Sequence, residues 1–306
     1  MTRVSTYGNY QSALLDLMSA QTRAQDAQTR VSTQKNATSL TGFGRTSESL
    51  TAFKSGQARI QGFIDTGEAV AARLTSQDLA FDRIGQGVSG ARQAIADALA
   101  AGRLDGLMQE MQAQFQISQD GLNSKHQGRY LFAGGNTETA PVPILALADL
   151  AAAPDAASLF ANDTLRQASR LDEGTTMETG FLADEAGQAA FEVFRDIQIY
   201  HQTTPIDGSI SEATRDFLST QLARLDAAYT GVTDLAARNG SMQNRVDAIV
   251  KSQNDQKAAL EELIAGKTDA DMAQALTDLQ LSQIAIQASA QVVSQLRDVS
   301  LLNYLR

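Results

Sequence analysis

Every proline of this 306-residue chain lies between positions 141 and 205, at Pro141, Pro143, Pro154 and Pro205. A proline inside a helix removes a backbone donor and clashes with the preceding turn, at a cost of about 3 kcal/mol. Residues 1–140 and 206–306 are therefore free to form long helices, and the centre is where helices must stop. The hydrophobic spacing of the flanks agrees. Alternating steps of three and four from Leu50 meet Phe53, Ile60, Ile64, Ala71, Leu74, Phe81, Val88, Ile95 and Leu99, with Gln57, Gly67, Asp78, Gly85 and Arg92 between them. The same stepping from Leu218 meets Leu222, Leu225, Tyr229, Val232, Ala236, Val246, Val250, Leu260 and Ile264. Two such helices bury their seams against one another. A shorter helix, about Leu104 to His126, completes the bundle through Leu107, Met108, Met111, Phe115, Ile117 and Leu122.

The two ends read differently. The first seam, Tyr10, Leu14, Leu17, Gln21, Ala24, Gln28 and Val31, is thin, with glutamine at two core positions. The last helix, about Asp269 to Tyr304 with Thr268 as its N-cap, carries two apolar stripes. One is Met272, Leu276, Leu279, Ile286, Ala290 and Val293; the other is Leu281, Ile284, Ala288, Val292, Leu296, Val299 and Leu302. A single partner helix covers only one of them. Isolated helices are marginal in water, so the ends are expected to be loose in a monomer and to fold against neighbouring subunits. Residues 1–40 carry four cations against two anions, and residues 268–306 two cations against four anions, so the ends are weakly complementary.

The centre reads as a small insert. Arg129 to Ala133 predicts a strand ending at the turn Gly134-Gly135-Asn136. Leu165–Leu171 and Thr175–Phe181, joined by Asp172-Glu173-Gly174, predict a hairpin. A helix restarts near Asp184, carries Phe191, Phe194, Ile197 and Ile199, and stops at Thr204-Pro205. The expected fold is mainly α: a long antiparallel helical bundle or coiled coil built from both chain ends, with a small β-containing insert in the middle.

Several function classes fall away on composition. The net charge of −10 argues against nucleic acid, because phosphate contacts need a basic surface. No cysteine is present, which excludes disulfides, thiolate metal sites and a thiol nucleophile. The two histidines, His126 and His201, have no ligand cluster near them in sequence. The charge-free run Leu279–Leu296 is long enough to span a bilayer, but Gln280, Gln283, Gln287, Gln291 and Gln295 fill it, so no membrane span is expected. The first thirty residues lack a secretory apolar core, since Asp16 interrupts Leu14-Leu15. On these signals alone the chain reads as cytoplasmic. Gly85-Gln86-Gly87-Val88-Ser89-Gly90 fits a dinucleotide fingerprint but lies inside a heptad run, where close helix packing is the plainer reading. Asp172-Glu173 and Asp184-Glu185 suit a turn and a helix start. Asp269-Ala270-Asp271 lacks the glycine and distal glutamate of a calcium loop. No catalytic residue, metal ligand or cofactor is assigned, and no constellation supports an enzyme.

Three segments carry a resemblance. The opening Arg3-Val4-Ser5-Thr6 leads into a Gln/Leu helix ending Val31-Ser32-Thr33-Gln34-Lys35-Asn36. Asp120 to Gly135 contains Gly128-Arg129-Tyr130-Leu131-Phe132-Ala133-Gly134. The terminus runs from Asp269-Ala270-Asp271-Met272-Ala273 through Leu276, Leu279, Gln283 and Ala288 to Ser300-Leu301-Leu302-Asn303-Tyr304-Leu305. Together they resemble the bacterial flagellin superfamily, and most closely its hook–filament junction branch, the hook-associated proteins of FlgL type. Residues 33–44 depart from that pattern, lacking the acid pair and proline that the family carries after its first helix.

The resemblance implies a structural flagellar subunit at the hook–filament junction. It implies terminal helices (1–40 with 268–306) forming an inner tube, a bundle (41–136 with 186–267) forming the outer wall, and a surface insert (137–185). Implied partners are identical subunits in a ring, another hook-associated protein on the hook side, flagellin on the filament side, and a cytoplasmic export chaperone. It also implies export to the flagellum, unfolded and without a cleaved signal peptide, in place of the cytoplasmic reading. The expected assembly contacts are Leu14, Leu17, Leu279, Ile286, Val293, Leu296 and Leu302. Two other readings stay open here: a flagellin filament subunit, and a cytoplasmic coiled-coil signalling or adaptor protein.

Overall fold

The computed structural model describes the backbone of residues 2–302 and side chains from 8 to 296. The helices are α1 (Thr2–Thr33), α2 (Ser47–Ala101), α3 (Leu107–Leu122), α4 (Leu147–Ala152), α5 (Ala183–Thr203), α6 (Glu212–Thr268) and α7 (Met272–Leu302). Two short antiparallel hairpins accompany them: β1 (Lys125–His126) with β2 (Arg129–Tyr130), and β3 (Ala168–Arg170) with β4 (Thr176–Glu178). The mainly helical class with a small β-containing middle is as the proline distribution predicts. The chain forms two compact units, Met1–Arg59 with Gln256–Arg306, and Ile60–Asp255.

In the Ile60–Asp255 unit, α2 and α6 run antiparallel. Gly67 faces Val250, the Asn239 amide donates to the Leu74 carbonyl at 2.9 Å, and Arg92 pairs with Asp226. The seams hold their register. Ile64, Leu74, Phe81, Val88 and Ile95 are buried on α2, as are Leu218, Leu225, Val232 and Val246 on α6. Asp78 and Arg92, the charged seam positions, are exposed, and so is Tyr229.

α3 crosses α2 where both present glycine. A Cβ on Gly87 would lie 2.2 Å from the Ser118 hydroxyl, and one on Gly121 would lie 2.9 Å from the Ile84 nitrogen. This close approach is what the Gly85–Gly90 motif serves. Phe115 of α3 meets Phe191 and Phe194 of α5 edge-on, and Phe81 of α2 meets Phe132 and Phe181. The middle of the chain fills the same core, since Val142, Leu147, Leu150 and Leu159 are buried in it.

Four local expectations need correction. The helix expected over Leu104–His126 is confined to Leu107–Leu122, because Gly106 at φ 79° starts it and β1 follows it. The strand expected over Arg129–Ala133 pairs only at Arg129 and Tyr130, across a Gln127-Gly128 turn with both φ positive. Beyond it the Phe132 carbonyl accepts from the Ala183 N–H instead of a ladder partner, and Phe132 and Ala133 enter the core. The hairpin expected over Leu165–Leu171 and Thr175–Phe181 is paired only at its tip, over Ala168–Arg170 and Thr176–Glu178. At its base the Thr179 and Gly180 N–H groups both donate to the Gln167 carbonyl. Thr268 is the last residue of α6; the cap of α7 is Asp271, whose carboxylate accepts from the Ala273 and Gln274 N–H groups at 2.9 and 3.2 Å.

Candidate assembly surface

The other unit is dominated by α1 and α7, which pack side by side. Arg30 near the end of α1 pairs with Asp278 near the start of α7 at 3.8 Å, so the two run antiparallel and their charge asymmetry is used. The seam on α1 is Tyr10, Ala13, Leu17, Ala20, Ala24, Ala27 and Val31, with Ala13, Ala20 and Ala27 buried. The seam on α7 is Met272, Ala275, Leu279, Ser282, Ile286, Ser289, Val293 and Leu296, with Ala275 and Ser282 buried. On both helices, small residues recur every seven positions between larger ones. Such residues let two helices approach closely, and the repeat keeps one face turned to the partner.

This seam differs from the sequence expectation in register. Gln21 and Gln28 are exposed, and alanines take the positions beside them. On α7, Leu276 and Ala290 turn outward, and Leu296 joins the α1 side rather than the second stripe. The rest of the second stripe within the described side chains stays open: Leu281 is 59% exposed, Ile284 61% and Val292 47%. Leu15 and Met18 of α1 are also exposed, at 67% and 63%.

Of the expected assembly residues, Leu14, Leu17, Leu279, Ile286, Val293 and Leu296 are half-buried, on or beside the α1–α7 seam. The side chain of Leu302 lies outside the described residues. Leu15 and Met18 were not singled out by sequence reasoning. The signal for them is the seven-residue alanine repeat, which fixes the inner face of α1 and thereby its outer one.

At the base of the arm the chain is clasped. Lys35 and Asp269 form an isolated antiparallel bridge. The Asn36 N–H donates to the Thr268 carbonyl at 2.8 Å, and the Ala270 N–H donates to the Gln34 carbonyl at 3.0 Å. The Asn36 amide adds a bond to the Asp269 carbonyl at 2.8 Å, and the Lys35 ammonium bonds the Asp269 carboxylate. That ammonium, with the Thr268 hydroxyl, holds the Asp269 carboxyl below the usual carboxylate range. Gln34, at φ 58°, makes the reversal that brings this segment back across Thr268.

The groups weighed for chemistry all have structural partners. His126 Nδ1 lies 2.9 Å from the Ser76 hydroxyl, and His201 Nδ1 accepts from the Ile206 N–H at 2.9 Å. Asp184 and Glu185 stand in the first turn of α5, where Glu185 meets Arg166 at 3.1 Å and Arg238 at 3.4 Å. Asp172-Glu173 form the β3–β4 turn, and Arg170 donates to both of their carbonyls. Asp163 accepts from the Gly135 and Leu165 N–H groups, which lower its carboxyl. Among the described residues, no His/Asp/Glu cluster is placed to hold a metal, and no helix is long and apolar enough to cross a membrane.

Residues 222–305 match the bacterial flagellin C-terminal helical region. No curated protein matches the chain. Among solved structures, the fold is similar to that of a protein described as a flagellar hook-associated protein of Vibrio parahaemolyticus. That match has a TM-score of 0.62 at 17% identity and covers 74% of this chain and 100% of the other. The fold is also similar to that of Bacillus cereus FlgL, with a TM-score of 0.52 at 17% identity, covering 70% of this chain and 98% of the other. The matched C-terminal sequence bears out the resemblance to the flagellin superfamily over residues 222–305, and the fold is shared with these two flagellar structures.

Proposed function

We propose that this chain is a non-enzymatic structural subunit of the bacterial flagellum that joins hook to filament. One observation carries the reading: α7 presents two apolar stripes, α1 covers one, and Leu281, Ile284 and Val292 of the other stay open in the single chain. A helix whose glutamine-rich run Leu279–Leu296 is free of charge, with one covered and one open stripe, suits a subunit completed by its neighbours. The flagellin-type terminus and the hook-associated fold supply the setting.

In this scheme residues 1–40 with 268–306 line an inner tube, residues 41–136 with 186–267 form the wall, and residues 137–185 face outward. Leu14, Leu17, Leu279, Ile286, Val293, Leu296 and Leu302 make the helix contacts that hold the tube together. Identical copies close the ring, another hook-associated protein lies below it, and flagellin lies above. The chain is exported unfolded, escorted to the channel by a cytoplasmic chaperone, and keeps its N-terminus. Immunogold labelling of flagella tests the position. Label at the distal end of the hook supports the junction; label along the whole filament makes the chain a filament subunit instead. Truncation after Lys267 tests the division of labour. A folded, soluble monomer that builds no junction is expected, whereas an unfolded bundle, or a junction that still forms, contradicts the scheme.

A further inference from the structure

The α1–α7 seam has a property its helices cannot resolve alone. Ala13, Ala20 and Ala27 repeat every seven residues, and so do Ala275, Ser282 and Ser289, and Leu279, Ile286 and Val293. Sliding α1 along α7 by one heptad returns most small residues to small sites, Ala24 and Leu296 excepted, and costs one heptad of overlap. The seam therefore fixes the face of each helix more firmly than the register. Along the described part of the seam the sole ion pair between the helices is Arg30 with Asp278, exposed and at 3.8 Å.

Chain connectivity does not fix the register either. One heptad is a translation of about 10.5 Å at about 1.5 Å per residue. The six residues between Thr33 and Leu40 reach about 20 Å when extended. The link can follow the slide. What opposes it, beside the heptad of overlap lost, is the clasp. Two backbone bonds, Asn36 to Thr268 and Ala270 to Gln34, and three side-chain bonds, from the Lys35 ammonium to Thr268 and Asp269 and from the Asn36 amide, tie the residues just past α1 to those at the end of α6 and just before α7. None of these survives a shift of seven residues.

We propose that the Lys35–Asp269 clasp sets the heptad register of α1 against α7, and so decides which apolar residues of the two helices stand side by side on the arm's outer face.

Because the chain has no cysteine, engineered pairs report register without background. Ala27 and Ser282 line one groove between the helices. In the full-length protein, A27C/S282C reads the native register and A27C/S289C reads α1 displaced outward by one heptad. With the clasp intact, the first pair oxidises and the second does not. Lys35→Glu, which sets a carboxylate against Asp269, is expected to raise the displaced crosslink at least tenfold. Adding Asp269→Lys, which restores an opposite pair, is expected to return it to within twofold of the parent. Unchanged crosslinking in Lys35→Glu overturns the proposal, as does a displaced crosslink already abundant with the clasp intact. Helix content read by circular dichroism covers the remaining case. If Lys35→Glu lowers it and neither pair oxidises, the clasp holds the arm together rather than choosing its register, and the proposal fails.

Discussion

The two units of this chain bury different things. The Ile60–Asp255 unit encloses Phe81, Phe115, Phe132, Phe181, Phe191 and Phe194, each at most 1% exposed. The α1–α7 pair buries alanine: Ala13, Ala20, Ala27 and Ala275. A buried phenyl ring removes several times the apolar area of a buried methyl group, and burial stabilises roughly in proportion to area. The bundle is built to hold itself together. The arm is built for close approach, and it leaves leucine, isoleucine and valine outside.

The comparison is broken most severely by emptying the bundle core. Phe115→Ala removes a ring packed on Phe191 and Phe194 and is expected to destabilise the Ile60–Asp255 unit by about 3–5 kcal/mol in urea denaturation. A smaller loss attends the glycine crossing. Gly87→Ala forces α3 away from α2, because the Gln114 carbonyl stands 2.6 Å from the new Cβ. About 1–3 kcal/mol is expected in the same assay. In the arm, Ala20→Gly is expected to cost about 1 kcal/mol, mostly helix propensity. It should appear as lost helix signal while the bundle transition stays in place.

The smallest expected effect is the pH dependence of the clasp. The Asp269 carboxyl sits lower in the folded arm than in the unfolded chain. Its contribution is therefore fully present above the ordinary carboxylate pKa and is lost as pH falls through the lowered one. Lys35→Met is expected to weaken the arm at neutral pH and to match the parent once pH is below that lowered value. A gap that persists there means Lys35 acts by something other than its charge on Asp269.

Much of the fold was legible because proline and heptad spacing act over long stretches. The α2 seam from Leu50 to Leu99 and the α6 seam from Leu218 to Ile264 keep their register because large residues mark them. The arm seam was legible only in part. Hydrophobicity favours Leu14 over Ala13, while a closely packed helix pair selects the smaller residue; the structure turns Ala13 fully inward. Thr268 passes for a helix cap because α6 continues to it, and only the backbone shows that Asp271 holds the N–H groups of α7. Phe132 and Ala133 have strand residues but leave the ladder after the Leu131 N–H has bonded the Ser124 carbonyl, because α5 supplies the donor that reaches Phe132. The Asp271 cap is local, and the sequence hid it only because Thr268 offers a cap of the same kind three residues earlier. The other two outcomes depend on a segment far away in sequence, or on how closely two helices meet.

The central claim is that the arm leaves one of its two apolar stripes uncovered within one molecule. Amide hydrogen exchange on the full-length chain in dilute solution tests it most directly. Amides of α3 and α5 should exchange far more slowly than those between residues 8 and 33 or 272 and 296, and the difference should shrink when the chain is assembled. Arm amides as protected as those of α3 and α5 in the dilute single chain would contradict it.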